Sequence, residues 1–267
     1  MTIREWIRER EIGGLPTFAF HDIRNYFPDF SEQIIKNELF RLSSQKIIVS
    51  VYRGFYVIIP PQYAAKGVVP PLYYIDQLMT FLNKPYYISM LSAAELLGAA
   101  HQRPQKFSVM TILPKSSVSA SKNNLLTWSY RGKIPADFLL TKNSETGIIR
   151  YSNADLTAID LVQYEQYVGG LSRVATVLEE LSEQVNFHAA AKELFGYTSL
   201  ATIQRLGFIL EEVLQEKDIA EVLHEELLTY VKRFRYVPLS TRHTDNGSMK
   251  NSRWKININL NIETDDI

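Results

Sequence analysis

The sequence predicts an α+β protein that is mainly helical, and two patterns support this class. Apolar residues recur at helical spacing through most of residues 154–234, which is typical of packed amphipathic helices. Short apolar runs bounded by turn residues occur at 47–59 and again at 107–151, and these predict strands. We therefore expect helices in the majority, with small sheets between them.

Two proline pairs indicate how the chain divides. Pro60-Pro61 and Pro70-Pro71 enclose a short segment that is expected to be stiff, because proline fixes its own backbone angle. The prediction is a head at residues 1–60, a proline-rich linker at 61–71, and a larger mixed α/β domain at 72–267 with a small sheet and a C-terminal helical bundle.

The composition excludes several kinds of protein. The chain has 267 residues, of which 46% are hydrophobic, so it can bury real cores and is not predicted to be disordered. It contains no cysteine, which excludes disulfides, thiolate metal sites and cysteine nucleophiles. No run of eighteen apolar residues predicts a membrane span, and the first residues lack the apolar core of a signal peptide. We therefore expect a cytoplasmic protein without a membrane partner.

The head begins with a capped helix. Thr2 and Glu5 have the spacing of a capping box, in which each side chain bonds the other residue's backbone amide. Ile3, Trp6 and Ile7 follow at helical spacing, so one side of this helix is expected to pack inward.

A helix-turn-helix pattern follows. Thr17–Phe20 predicts a short strand, His21–Phe27 a second helix, and Pro28 a sharp turn. Ser31 is a good N-cap for a third helix from Glu32 to about Ser43. On this third helix the apolar residues fall on one face, which is expected to pack against the first helix and the hairpin. The predicted core of the head consists of Trp6, Ile7, Ile35, Leu39, Leu42 and Val57.

A β-hairpin closes the head. The runs 47–51 and 55–59 predict two strands, joined by the turn Tyr52-Arg53-Gly54. A helix, a turn, a second helix and a hairpin in this order predict a winged helix-turn-helix, which places one helix in a DNA major groove.

The polar residues of this unit suit DNA contact. Asparagine and glutamine can bond adenine, while lysine and arginine reach guanine or phosphate. An arginine at the tip of the wing can enter a minor groove or clamp a phosphate. Taken singly, each such residue fits an ordinary solvated face better; the order of helix, turn, helix and hairpin is what favours DNA contact. The predicted DNA-binding residues are Ser31, Gln33, Lys36, Asn37, Arg41, Lys46, Tyr52 and Arg53.

The larger domain is predicted to mix helices and strands. Helices are expected at 72–81 and 88–100, then strands at 107–113, 125–130, 137–140 and 147–151. Five helices follow, at 154–164, 171–184, 187–195, 200–215 and 218–234, before a final strand at 254–260.

No catalytic or metal-binding motif is recognisable. The five histidines are isolated in sequence, with no ligand at the spacing of a local metal site. No nucleophile elbow and no phosphate-cradling glycine loop occurs. Asp155 and Asp160 are five residues apart and fall on different faces of one helix. We expect no cofactor, no metal and no enzymatic activity.

The chain resembles the AbiEi-type antitoxins of abortive-infection systems, which are type IV toxin–antitoxin pairs. The resemblance runs nearly end to end, and order and spacing carry it. The segments concerned are Arg53–Ile58 followed by Pro60 and Tyr63, Pro85–Ala94, Asp155–Val162, Gly169–Leu171, Val237–Leu239 and Trp254–Asn259.

The resemblance implies both a fold and a function. It implies a winged-helix N-terminal domain that represses its own operon by binding inverted repeats in operator DNA. It also implies a larger C-terminal domain that counteracts a nucleotidyltransferase-like toxin without forming a stable complex with it.

The charge distribution adds a second expected surface. The net charge is zero and the head carries only +1, which is little for phosphate binding. Residues 101–150 and 230–255 each carry +6, whereas residues 178–226 carry −8. We expect an additional DNA-binding or antitoxic surface at Lys115, Lys122, Arg131 and Lys133. Two alternatives stay open: an enzyme with an unrecognised site, and a protein-binding module that uses the acidic helical face.

Overall fold

The computed structural model describes residues 1–99, 104–114, 125–188, 191–244 and 247–263. Within these ranges it is a mixed α/β protein with twelve α-helices and three small sheets. The predicted mixture of helices with small sheets is confirmed. None of the described helices combines the length and the apolar character needed to cross a bilayer.

The head contains three helices and a three-stranded antiparallel sheet of order β1-β3-β2. The register pairs Thr17 with Val57 and Ile48 with Ile58, and a bulge follows Ser50. In chain order the elements are α1 (Ile3–Ile12), β1 (Thr17–Ala19), α2 (Phe20–Tyr26), α3 (Glu32–Ser44), β2 (Ile48–Tyr52) and β3 (Phe55–Ile58).

Local sequence signals fix where the helices of the head begin. The predicted capping box is confirmed: the amide of Thr2 donates to the Glu5 carboxylate at 2.8 Å, and the amide of Glu5 donates to the Thr2 hydroxyl at 3.2 Å. The predicted cap of α3 is also confirmed, because the Ser31 hydroxyl accepts the amide of Ile34. Each cap satisfies a helix-terminal amide that otherwise has no partner.

The head has its own hydrophobic core. The apolar face of α3 packs with α1, α2 and the sheet, and all six predicted core residues are buried. The cluster contains Ile3, Trp6, Ile7, Phe18, Ile23, Phe27, Ile35, Leu39, Leu42, Ile48 and Ile58.

The middle of the chain forms a five-stranded sheet of order β6-β5-β4-β8-β7, in which β5 pairs with β6, and β4 with β8, in parallel. The helix predicted from Ile88 to Ala100 is wrong at its start, because Tyr86–Ile88 is a strand. The elements are α4 (Pro61–Ala64), α5 (Ile75–Phe81), β4 (Tyr86–Ile88), α6 (Met90–Leu96), β5 (Phe107–Ile112), β6 (Leu126–Arg131), β7 (Leu139–Asn143) and β8 (Ile148–Ser152).

The remainder is mostly helical. The helix predicted over 200–215 ends early, because a π-helix replaces its last turns at Ile209–Val213. The elements are α7 (Ala154–Gln163), α8 (Glu165–Val168), α9 (Leu171–Leu181), α10 (Ala191–Phe195), α11 (Leu200–Phe208), α12 (Lys217–Tyr230), β9 (Val237–Pro238), β10 (Met249–Asn251) and β11 (Ile256–Ile258). The last three strands form the third sheet, of order β10-β11-β9.

The chain divides into two compact units. The first comprises Met1–Tyr86, Gln105–Ile134 and Thr141–Arg150; the second comprises Tyr87–Pro104, Pro135–Leu140 and Tyr151–Ile267. The first unit therefore runs past the proline-rich segment. The division into domains at residues 61–71 stays a prediction.

Aromatic contacts join the hairpin of the head to α5 within the first unit. The ring of Phe81 lies 5.2 Å from that of Phe55 and 6.4 Å from that of Tyr52, measured between centroids. His21 stacks on the same ring at 6.3 Å. Through these contacts α5 packs against the turn end of the hairpin, beside Arg53 and Gly54.

Candidate nucleic-acid interface

The outer face of α3 is the best candidate for a readout surface in the head. Successive residues of an α-helix are rotated by about 100°. The residues opposite the buried face of Ile35, Leu39 and Leu42 are therefore Gln33, Asn37, Phe40 and Ser44. All four are exposed.

Two of these side chains form an amide pair. The Nε2 of Gln33 donates a hydrogen bond of 2.8 Å to the Oδ1 of Asn37. The Oε1 of Gln33 and the Nδ2 of Asn37 have no partner among the described residues. One acceptor and one donor on adjacent turns match the N6 donor and N7 acceptor of adenine in the major groove.

The cations of α3 are already paired with carboxylates. Lys36 contacts Glu32 at 3.1 Å, and Arg24 at the end of α2 contacts the other oxygen of Glu32 at 2.8 Å. Arg41 donates two hydrogen bonds to the carboxylate of Glu38, from Nε at 2.8 Å and from Nη2 at 2.5 Å. These carboxylates offset the positive charge that a phosphate would meet.

The pKa shifts report the same pairing. The hydrogen bond from Lys36 holds the pKa of Glu32 below its usual value. The hydrogen bond from Arg41 does the same for the pKa of Glu38, and the positive charge of Arg4 on α1 acts in the same direction. Arg4 is distant from Glu38 in sequence, so sequence spacing alone does not reveal this influence.

Arg53 stands at the tip of the hairpin. Its side chain is exposed and forms no ion pair with any described residue. Gly54 supplies the positive φ of 74° that the turn requires, and its carbonyl accepts the amide of Phe20 at 2.8 Å. The backbone thus fixes the turn, while the guanidinium extends into solvent.

The other predicted contact residues have structural partners. Ser31 caps α3, and the ammonium of Lys46 donates to the carbonyl of Ala65 at 3.1 Å. Tyr52 is half-buried beside Phe81. Contact of these three residues with DNA stays a prediction.

The additional basic surface changes in composition. Arg131 is 7% exposed, so burial within the first unit removes it from the predicted surface. The prediction is wrong for this residue because the side chain of a strand residue can face inward whatever its charge. Lys133 is exposed. Lys115 and Lys122 lie outside the described residues.

In the second unit, the acidic and basic segments partly neutralise each other. Arg253 contacts Glu211 at 3.3 Å and Glu221 at 2.6 Å. The ammonium groups of Lys250 and Lys255 lie 5.4 and 5.2 Å from the ring centroid of Tyr236, at cation–π distance. Three of the cations in residues 230–255 therefore have partners within this unit: Arg253 pairs with carboxylates, and the two lysines contact an aromatic ring.

The two aspartates of α7 are held by different partners. Burial raises the pKa of Asp155 to about 6, although its carboxylate accepts the amide of Asn186 at 2.6 Å. Asp160 is fully buried and accepts the hydroxyl of Tyr87 at 2.7 Å. Over the residues that the structure describes, no three histidine or acidic side chains converge as metal ligands.

Phe40 is the residue of α3 that sequence reasoning missed. Its side chain is 77% exposed, although phenylalanine usually contributes to cores. The signal was present in the spacing: position 40 lies three residues after Asn37, away from the apolar stripe. The predicted contact residues of α3 included only polar side chains, so Phe40 was not among them.

Comparison with known proteins identifies one segment of the chain. Residues 87–212 match the AbiEi antitoxin C-terminal domain, which confirms the predicted resemblance over these residues. No protein of curated function matches the sequence.

A solved structure extends the comparison to the whole fold. The structure resembles the crystal structure of the RV2827C protein from Mycobacterium tuberculosis with a TM-score of 0.64 and 14% sequence identity. The match covers 94% of this chain and 90% of that chain. At this identity the likeness concerns the fold alone.

Proposed function

We propose, from the match of residues 87–212 to the AbiEi antitoxin C-terminal domain, that this protein is the antitoxin of a type IV toxin–antitoxin operon and also represses that operon. The family match supports the antitoxin role. Repression, operator binding and the toxin partner are the further steps of the proposal.

The head supports the DNA-binding step. The order α1-β1-α2-α3-β2-β3, with a sheet of order β1-β3-β2, suits a winged helix-turn-helix in which α3 enters the major groove. The single observation that carries this step is the outward-facing amide pair of Gln33 and Asn37. Arg53 at the hairpin tip would reach the neighbouring backbone or minor groove.

The charge balance limits how the head would bind. Lys36 and Arg41 are paired with carboxylates, and the head carries only +1. Phosphate contacts supply most non-specific affinity, so a single head is expected to bind random DNA weakly. Two heads on inverted repeats would restore affinity through linked binding.

The rest of the first unit would add phosphate contacts. With Arg131 excluded by burial, the proposed surface consists of Lys115, Lys122 and Lys133. Changing these three lysines to glutamine separates its two possible roles. Loss of operator affinity supports a DNA contact, whereas loss of toxin rescue with unchanged affinity supports an antitoxic surface.

Operator binding is tested with the full chain. Fluorescence anisotropy would compare the duplex upstream of its own operon with a scrambled duplex over a salt series. We expect preference for the upstream duplex by a factor of at least about 10³. Equal affinity for the two duplexes would overturn the repressor proposal.

The antitoxin role is tested by growth. The chain is co-expressed with the proposed nucleotidyltransferase-like toxin of its operon, from a promoter that the chain does not regulate. We expect growth to be restored by the parent and by Asn37→Ala, because neutralisation is proposed to need no operator contact. Failure of the parent to restore growth would overturn the antitoxin role for this pair.

A further inference from the structure

Phe40 is an isolated apolar side chain on a polar helix face. It is 77% exposed, and its neighbours on the outer face of α3 are Gln33, Asn37 and Ser44. The hydroxyl of Ser44 donates to the carbonyl of Phe40 at 3.0 Å, so the helix backbone satisfies this hydroxyl and leaves the ring free. The ring is therefore available for an apolar contact, and it lies on the same face as the amide pair.

The position of the ring relative to the amide pair defines what it would touch. Phe40 lies three residues after Asn37, which is about 4.5 Å along the helix axis. Base pairs are about 3.4 Å apart along the duplex. With the amide pair on one adenine, the ring of Phe40 would lie over the next base pair.

Only one base offers an apolar group at that place. Thymine carries its C5-methyl group in the major groove, and phenylalanine is among the side chains that contact it. We propose that Phe40 reads thymine methyl groups beside the adenine contacted by Gln33 and Asn37, so that each operator half-site contains consecutive A·T pairs here. This inference rests on the proposed DNA-binding function.

A protein partner fits this surface less well. Ile34 is the other exposed apolar residue of α3, but it lies about 120° around the helix from Phe40. Stable protein interfaces bury a contiguous patch with an apolar core. A single ring beside two side-chain amides is complementary to a base edge, which carries a methyl group next to hydrogen-bonding atoms.

The test replaces thymine by deoxyuridine, which removes the methyl group and keeps base pairing. Each thymine of the operator duplex is replaced in turn, and affinity is measured for the full chain. We expect one or two positions per half-site to lose about four-fold, the equivalent of about 0.8 kcal/mol for one buried methyl group. Phe40→Ala should lose affinity for the thymine duplex and show no further loss on deoxyuridine.

Two further variants serve as controls for the role of the Phe40 ring. Ile34→Ala removes the other exposed apolar side chain and should keep the thymine preference, whereas Phe40→Leu should keep part of it. Retention of the full preference in Phe40→Ala, or no effect of deoxyuridine at any position, would overturn the inference while leaving operator binding intact. A parent that does not prefer its operator would overturn the proposed function itself. A change in sedimentation from dimer to monomer in Phe40→Ala would assign the ring to a protein contact instead.

Discussion

The indole ring of Trp254 occupies the space in which Gly207 would carry a side chain. A Cβ built on Gly207 would lie 2.1 Å from Cζ3 of the ring, closer than atoms can approach. Trp254 is fully buried, and its Nε1 donates to the carboxylate of Glu211 at 2.5 Å. The indole ring of Trp254 thus packs directly on the backbone of α11, which explains a glycine inside a helix.

Gly207→Ala should destabilise the second unit. Alanine favours a helix by up to about 1 kcal/mol over glycine, but overpacking a core typically costs about 1–3 kcal/mol. The clash at 2.1 Å is with a fully buried ring, so the cost should prevail and the free energy of unfolding should fall. Urea denaturation of the full chain measures it.

A control and a double variant locate the cause. Gly132→Ala should be nearly neutral, since a Cβ there meets no atom within 4 Å. Trp254→Ala alone should cost about 3–5 kcal/mol, as for other large-to-small changes in cores. In the Trp254→Ala background Gly207→Ala should no longer be harmful; an equal penalty in both backgrounds would contradict steric conflict with the ring.

Asn37→Ala should reduce specificity rather than general affinity. Removing one member of the amide pair on α3 is expected to cost about 1–3 kcal/mol on the operator and little on random DNA. Anisotropy titrations on the two duplexes measure both values. Ser43→Ala, on the flank of the same helix, is the matched control, and equal losses on both duplexes would contradict base readout by Asn37.

Arg53→Ala should act on all DNA sequences alike. A phosphate contact contributes about 0.9 to the slope of the logarithm of affinity against the logarithm of salt concentration. Since Arg53 has no ion-pair partner in the described part of the chain, its loss should lower that slope by nearly this amount. Lys192→Ala, an exposed cation in the second unit, should leave the slope unchanged. A parental slope in Arg53→Ala would remove this residue from the interface.

The sequence predicts the head well because its signals are local. Thr2 with Glu5, Ser31, and the spacing of Ile35, Leu39 and Leu42 each act within one or two helical turns. These signals need no knowledge of distant residues. Caps and burial are therefore confirmed there almost residue by residue.

The prediction fails where distant contacts decide. The helix predicted from Ile88 begins too early, because Ile88 ends β4, a strand in which the hydroxyl of Tyr87 donates to Asp160, seventy-three residues later in the chain. Arg131 was assigned to a surface by its charge, although its strand turns it inward. In both cases tertiary packing overrides the local pattern.

On α3 the sequence predicts which side chains are exposed, but not which of them form ion pairs. Periodicity places Lys36 and Arg41 on the exposed part of the helix, as observed. It does not show that Glu32 and Glu38 hold them in ion pairs. The pairing depends on rotamers and on neighbours such as Arg24, which lies eight residues earlier.

Asp155 should make stability depend on pH in an unusual direction. Its pKa of about 6 in the folded state exceeds the ordinary value near 4 that the unfolded chain has, because burial disfavours the charged form. Between about pH 4 and pH 6 the folded state therefore binds more protons, so the free energy of unfolding should fall as pH rises through this window. At pH 7.5 the buried carboxylate should lower the free energy of unfolding by about 1–3 kcal/mol.

Asp155→Asn tests this dependence. The asparagine Oδ1 can still accept the amide of Asn186, so the variant should gain stability at pH 7.5 and lose the fall between pH 4 and pH 6. Asp218→Asn is the matched control, because Asp218 is an exposed acid in the first turn of α12, just as Asp155 is in the first turn of α7. It should keep the parental pH profile. Urea denaturation of the three proteins at several pH values provides the comparison, and a profile of Asp155→Asn that matches the parent would show that this carboxyl group does not retain its proton in the folded chain.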